Sequence, residues 1–171
     1  ILVGSILRER GYKLVAAESC TGGLIGSRIT DISGSSEYFL GSIVAYAYEV
    51  KVALLDVSWE TLNAHGAVSR ATVIQMAIGA RNRLGGDIAL SVSGIAGPGG
   101  GTPEKPVGTT WVGLVSDKGE WAKEFRFSGN RQENKSSAAD AALQMLLDYL
   151  QGNLLGQPEQ AINTRDLLHR V

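Results

Sequence analysis

The chain has 171 residues, 44% of them hydrophobic and 19% charged, a composition that provides a sizeable core and excludes a disordered or fibrous chain. Sixteen Lys and Arg against seventeen Asp and Glu leave a net charge of −1, so no overall positive field draws in nucleic acid or an anionic membrane, although a local anion site is still allowed. The single cysteine, Cys20, rules out an intramolecular disulfide framework, and with only His65 and His169 as histidines it argues against a zinc cluster and fits a cytoplasmic protein. No apolar run approaches the roughly 20 residues that span a bilayer, and Ile1-Leu2-Val3-Gly4 lacks the flank and cleavage site of a signal peptide. The chain starts without a Met and inside a helical pattern, so residues upstream of it are expected.

Helical and strand periods alternate along the chain. Val3, Ile6 and Leu7 mark a short helix closed at Gly11, and Lys13 to Ala17 reads as the first strand. Ile25, Ile29 and Ile32 recur at i, i+4 and i+7, the buried stripe of a helix from about Thr21 to Ile32. Ser42 to Tyr46 reads as a strand. A helix follows directly, with Val50, Ala53, Leu54 and Val57 as its apolar face and Lys51 beside that stripe. Ser69 caps a helix from Arg70 to about Leu84, and Asp87 to Ser93 is an apolar run typical of a strand covered on both faces. The segment Gly94 to Gly101 is too rich in glycine to be regular structure. Val107 to Ser116 and Glu120 to Phe127 form a hairpin about Asp117-Lys118-Gly119, and Gln132 to Leu150 a final core helix. Helices interleaved with strands, plus one hairpin, predict an α/β fold: a three-layer α/β/α sandwich with a mixed β-sheet in one domain over residues 1–150. In the tail, 151–171, Ile162, Leu167 and Leu168 predict an accessory helix packing on this or a neighbouring subunit.

The turn Glu18-Ser19-Cys20-Thr21-Gly22-Gly23 joins the first strand to its helix. With Thr21 as cap, the free N–H groups of the first helical turn point into the same space as Ser19, so a hydroxyl nucleophile sits beside donors for an anion or oxyanion; a plain capped turn is the alternative. The backbone N–H groups of Thr21, Gly22 and Gly23 are the candidate donors. A serine nucleophile needs a base, and neither histidine lies in a motif where it serves. If the strand ending at Tyr46 lies beside the first strand, both open on one edge of the sheet, where ligands of α/β folds collect, and Lys51 follows there. A partly buried lysine has its pKa lowered toward roughly 7 to 8, a usable general base. Tyr46 is placed to relay the proton or orient Lys51. Gly34-Ser35-Ser36 offers donors and hydroxyls for a phosphate, and Arg131 a cation to meet it. The loop at Gly94, Ala96 and Gly97 lets a ligand approach the main chain, without the glycine spacing of a nucleoside triphosphate or dinucleotide site. Cys20 is a rival nucleophile or a small buried neighbour, and His65 reads as structural.

Glu18-Ser19-Cys20-Thr21-Gly22-Gly23, Gly34-Ser35-Ser36, Tyr46 with Lys51, Gly66-Ala67-Val68-Ser69, Gly94-Ile95-Ala96-Gly97-Pro98 and Lys105-Pro106-Val107-Gly108-Thr109 stand in the order of one family. Over about residues 1–150 the chain resembles the C-terminal domain of the competence/damage-inducible CinA proteins, the nicotinamide-nucleotide amidases. The resemblance implies hydrolysis of nicotinamide mononucleotide to nicotinate mononucleotide and ammonia in pyridine nucleotide salvage, by a serine-dependent amidase with a Ser19/Lys51 pair and no metal or organic cofactor. It implies a small-molecule nucleotide as substrate, a homo-oligomer, and in some members an upstream domain. Two departures bear on substrate preference. Tyr46-Ala47-Tyr48 stands where the family often reads Tyr-Ser-Asn, and Asn130 and Lys135 replace an Asp and an Arg frequent around Arg131. They leave open a second reading, a nucleotide-binding regulatory module of the same fold with weak catalysis.

Overall fold

The computed structural model describes residues 2–154, so the tail helix expected around Ile162, Leu167 and Leu168 lies outside the described residues. The elements run α1 (Leu2–Arg10), β1 (Leu14–Glu18), α2 (Leu24–Thr30), a 3-10 turn (Ser35–Glu37), β2 (Phe39–Val44), α3 (Tyr48–Leu55), α4 (Trp59–His65) and α5 (Arg70–Leu84). Then come β3 (Ile88–Gly94), β4 (Thr109–Ser116), β5 (Gly119–Arg126) and α6 (Arg131–Leu150). The strands form one sheet of order β2-β1-β3-β4-β5. β1 pairs in parallel with β2 and β3, whereas β4 runs antiparallel to β3 and β5.

Two cores lie on opposite faces of that sheet. Leu7, Leu14, Ile25, Leu90, Leu114 and Leu146 fill the space under α1, α2 and α6. Val15, Leu55, Leu62, Met76, Ala80 and Ala89 fill the other, under α3, α4 and α5. The result is a three-layer α/β/α sandwich around a mixed sheet. β1 is buried at all five positions because helices cover both its faces, and the alternation of its side chains sends Leu14 and Ala16 to the first core and Val15 and Ala17 to the second.

Three local differences from the sequence expectation bear on the site. α2 begins at Leu24, not at Thr21, because Gly22 and Gly23 take left-handed conformations at φ 62° and 98° that no helix continues. β2 runs from Phe39 to Val44, which leaves Tyr46 in the connection to α3. α4 has no counterpart in the periodicity, since only Thr61 and Leu62 of its seven residues are buried; Ser58 starts it by accepting the Thr61 N–H at 3.0 Å. Among the described residues no helix is long and apolar enough to cross a membrane.

The seat of α3 is a glycine on α5. A Cβ built on Gly79 would stand 1.9 Å from the Leu55 carbonyl oxygen at the end of α3, so the backbones approach as closely as they do only because Gly79 has no side chain. Gly79→Ala would gain about 1 kcal/mol of helix propensity if the site were open. Overpacking reverses the sign: we expect a net destabilisation of about 1 to 3 kcal/mol in urea unfolding.

Candidate active site

The parallel strands β1, β2 and β3 all deliver their C-terminal ends to one edge of the sheet, the place where α/β folds gather ligands. Ser19 follows β1 there. Its backbone N–H is fixed by the Val92 carbonyl at 3.0 Å, and the Ala45 N–H, donating to the Glu18 carbonyl at 2.9 Å, fixes the end of β2 beside it. The parity of β1 then turns Ser19 toward the α3 layer and Cys20 into the opposite core with Leu14 and Ala16. Adjacent residues thus face different layers.

Lys51 lies in the first turn of α3, where its N–H bonds the Ala47 carbonyl. Its side chain points back toward the helix start, as long helical side chains do, and is 1% exposed. The sequence pattern set it beside the apolar stripe; the structure buries it, because the short link from β2 brings the helix start against the end of β1. The Nζ donates to the carbonyls of Ala45 at 2.8 Å and Tyr46 at 2.9 Å and to Ser19 Oγ at 3.0 Å. Among the described residues no carboxylate pairs with this amine. Loss of hydration therefore dominates and lowers its pKa from 10.5 to about 8, against a smaller opposing pull from Cys20. Two carbonyls hold two of its hydrogens, so once the third proton leaves, the lone pair faces Ser19. Burial has the opposite effect on the neighbouring thiol: Cys20, 6% exposed, has its pKa pushed up to about 11 and stays protonated at neutral pH.

Tyr46 acts on Lys51 through its main-chain carbonyl. Its ring is exposed and its hydroxyl accepts from Arg131 Nη2 at 3.0 Å, while Arg131 Nη1 donates to the Gly97 carbonyl at 2.7 Å. This geometry does not route a proton through the phenol to Lys51. Arg131, at the N-terminus of α6, instead clasps the β2–α3 link to the β3–β4 loop at the rim of the site.

The helix N-terminus expected to hold an anion is already occupied. Glu18, fully buried, accepts the N–H groups of Gly23 and Ile25 at 3.0 Å and Gly26 at 2.9 Å, the Thr21 hydroxyl at 2.7 Å and the Ser42 hydroxyl at 2.8 Å. The Gly22 N–H bonds the Ser19 carbonyl. Gly22 and Gly23 are therefore not oxyanion donors here, and the Thr21 hydroxyl does not cap α2: the carboxylate takes that role and compensates the positive end of the helix itself. Glu18 is the residue the sequence reading passed over. Its signal was a carboxylate closing a wholly apolar strand, since a buried charge requires a full set of donors.

The glycine loop is closed for packing at the positions singled out. A Cβ on Gly94 would meet Thr110 Oγ1 at 2.5 Å and Cys20 Sγ at 3.1 Å, and one on Gly97 would meet Val107 at 2.5 Å. The Ala96 carbonyl accepts from Asn134 Nδ2 at 3.1 Å, and Asn134 Oδ1 takes the Gly129 N–H, so this buried asparagine, also unforeseen, ties the loop to α6. Gly34, Ser35 and Ser36 lie elsewhere. They precede β2, whose first residue Phe39 pairs with Leu14 at the start of β1, one strand length away from Ser19, or about 17 Å. Ser35 is buried there and Gly34 sits against Arg8 and Glu37, so within one chain this turn cannot meet a substrate at Ser19.

The model of the CinA C-terminal domain matches residues 2–150. The chain belongs to the CinA C-terminal domain family. A CinA-like protein of Geotalea uraniireducens is 49% identical over 154 residues, which make up 90% of this chain and 36% of that protein, so the chain spans about a third of the length of such curated relatives. Among solved structures, a CinA superfamily protein of Klebsiella pneumoniae superposes with a TM-score of 0.85 at 33% identity, over 88% of this chain and 94% of that one. The competence/damage-inducible protein CihA of Agrobacterium tumefaciens gives 0.81 at 39% identity, over 87% and 95%.

Replacing Glu18 with Gln keeps the shape but points an amide nitrogen at donors it cannot accept from. Glu18→Gln should cost about 1 to 3 kcal/mol in chemical denaturation, the penalty of leaving a buried donor unsatisfied. Ser42→Ala, which removes one of five donors, should cost less.

Proposed function

We propose that this CinA-type domain is a serine amidase that hydrolyses nicotinamide mononucleotide to nicotinate mononucleotide and ammonia, with Ser19 as nucleophile and Lys51 as base. One observation carries the chemistry: a buried amine with no counter-ion among the described residues, its pKa near 8, stands 3.0 Å from a serine hydroxyl. The substrate comes from the resemblance to the nicotinamide-nucleotide amidases. In this reading the neutral Lys51 amine takes the Ser19 proton as Oγ attacks the carboxamide carbon. The resulting ammonium returns that proton to the leaving nitrogen, and the collapse of the tetrahedral intermediate releases ammonia and an acyl-serine ester. Lys51, neutral again, takes a proton from water; the hydroxide adds to the ester, and Ser19 leaves with the proton that Lys51 holds. The Ala45 and Tyr46 carbonyls stabilise the ammonium form that arises in each half-reaction. Arg131 is the cation at the rim suited to a phosphate, although its Tyr46 and Gly97 contacts must then be shared or exchanged. Catalysis sits within about residues 1–150 and the tail beyond is accessory.

Ammonia release from nicotinamide mononucleotide tests the nucleophile. Ser19→Ala should lose at least about three orders of magnitude in turnover with its fold intact, whereas Cys20→Ala, which removes a protonated thiol facing the other core, should lose far less. The reverse ranking overturns the serine assignment. No ammonia release from the wild type favours a domain that binds the nucleotide without hydrolysing it.

The base is tested by pH. Turnover should rise with pH through an apparent pKa near 8, because only the neutral amine accepts the proton, and Lys51→Met should be nearly inactive at every pH. Stability gives a second readout. A lysine pKa lowered from 10.5 to about 8 means that the folded state binds fewer protons than the unfolded state between those values. Wild type should therefore gain stability relative to Lys51→Met as pH rises through that window, by up to about 3 kcal/mol, with no further change below pH 8. A flat difference would show that Lys51 is not titrating in a desolvated site.

A further inference from the structure

Three of the described lysines, Lys51, Lys105 and Lys135, are not exposed, and two of them are bonded to main chain. The Lys51 amine donates to the Ala45 and Tyr46 carbonyls and to Ser19, and the Lys105 amine donates to the His65 carbonyl at 2.6 Å. Lys135 has no hydrogen bond or ion pair among the described residues. Its half-buried side chain brings the amine over the turn that follows Ser19: a Cβ built on Gly22 would meet Lys135 Nζ at 3.8 Å and, apart from its chain neighbours, no other atom within 4 Å.

The surroundings disfavour a charge at this place. Lys135 follows Arg131 by four positions, so two cations share one face of α6, where like charges repel. Both stand near the N-terminus of α6, whose positive end adds to the repulsion. Neither nearby carboxylate offsets it. Glu133 is spent on the helix cap, accepting the Asn130 N–H at 2.7 Å, and Glu18 is filled by its five donors. A conflict of this kind, kept where a helix meets a candidate site, marks a functional position and not a stabilising one.

Arg131 is not equivalent to Lys135. Its guanidinium spans the Tyr46 hydroxyl and the Gly97 carbonyl and must release one of them to meet a ligand, whereas the lysine releases nothing. An ammonium on a flexible four-carbon stem also turns its three donors to wherever the ligand presents oxygen. Two cations on one face suit a dianionic phosphate ester better than a singly charged carboxylate. We propose that Lys135 receives the anionic group of the ligand, between the Gly22 turn and Arg131, and sets the selectivity of the site for a phosphorylated ligand over its unphosphorylated parent. Arg131 remains the clasp that borders this position. The inference rests on the reading of Ser19 and Lys51 as the reacting pair, because the ligand must extend from them to the rim, but it concerns binding and not hydrolysis.

Binding of two molecules that the proposed reaction does not consume, nicotinate mononucleotide and nicotinate riboside, tests it by titration calorimetry. The wild type should bind the mononucleotide at least about tenfold more tightly than the riboside, the scale of one charge-assisted contact. Lys135→Met, which keeps the apolar stem, should lose that preference while its affinity for the riboside and its circular dichroism spectrum stay as they were; Lys135→Arg should restore it. Added salt should narrow the preference in the wild type and leave Lys135→Met unchanged, since only the former holds the phosphate by charge. Equal binding of both molecules by the wild type, binding of neither, an undiminished preference in Lys135→Met, or a Lys135→Met variant that loses both ligands alike each overturns the proposal. Ammonia release separates this outcome from the amidase reading. A wild type that releases none but shows the Lys135-dependent preference loses the reaction and keeps the binding residue, whereas one that releases ammonia with the preference intact in Lys135→Met loses the binding residue alone.

Discussion

The site depends on one arrangement: a lysine amine held out of water by main-chain carbonyls, with no carboxylate paired to it among the described residues. An ion pair would have raised the affinity of Lys51 for its proton. The Ala45 and Tyr46 carbonyls are partial charges, strong enough to orient the amine and too weak to hold it fully protonated. Everything that brings α3 against the end of β1 serves this contact. The parallel register of β1 and β2, the short link between β2 and α3, and the backbone contact at Gly79 together set where Lys51 stands.

Glu18 shows how the chain places a carboxylate next to Ser19 in sequence without turning it toward the amine. It is one residue from Ser19, yet strand alternation sends it to the α2 side of the sheet, where three main-chain N–H groups and two hydroxyls saturate it. A carboxylate with five donors is satisfied where it stands. The same bonds hold the left-handed Gly22-Gly23 turn and join β1, α2 and β2, so the loop that carries Ser19 is rigid before any ligand arrives. The helix N-terminus is consumed in this role, so its N–H groups are not free for an anion.

Much of this was legible in the chain itself. Periods of two and near four in apolar spacing, with Ser69 before one helix and glycines after others, predict the layers and most element bounds, because hydrophobic burial and end capping act over a few residues. The Glu18-Ser19-Cys20-Thr21-Gly22-Gly23 turn and Lys51 also stood out as chemistry-bearing residues at strand ends. α4 did not, since a helix of seven residues held by one cap and two buried side chains leaves almost no period to read.

Tertiary structure alone decided what each polar group near the site does. That Lys51 is buried, that its amine meets Ser19 and that Cys20 faces away depend on which strands are neighbours. The Lys51–Ser19 contact spans 32 positions and the Glu18–Ser42 contact 24, both set by sheet order and side-chain parity, while the other four donors to Glu18 stand 3 to 8 positions along the same turn. The Gly34-Ser35-Ser36 turn shows the same division. Its composition offers donors and hydroxyls to an anion, but only the direction of β2 places it at the far end of the sheet from Ser19. Sequence determined which groups the protein has and which local elements carry them; the pairing of distant strands determined which of those groups meet.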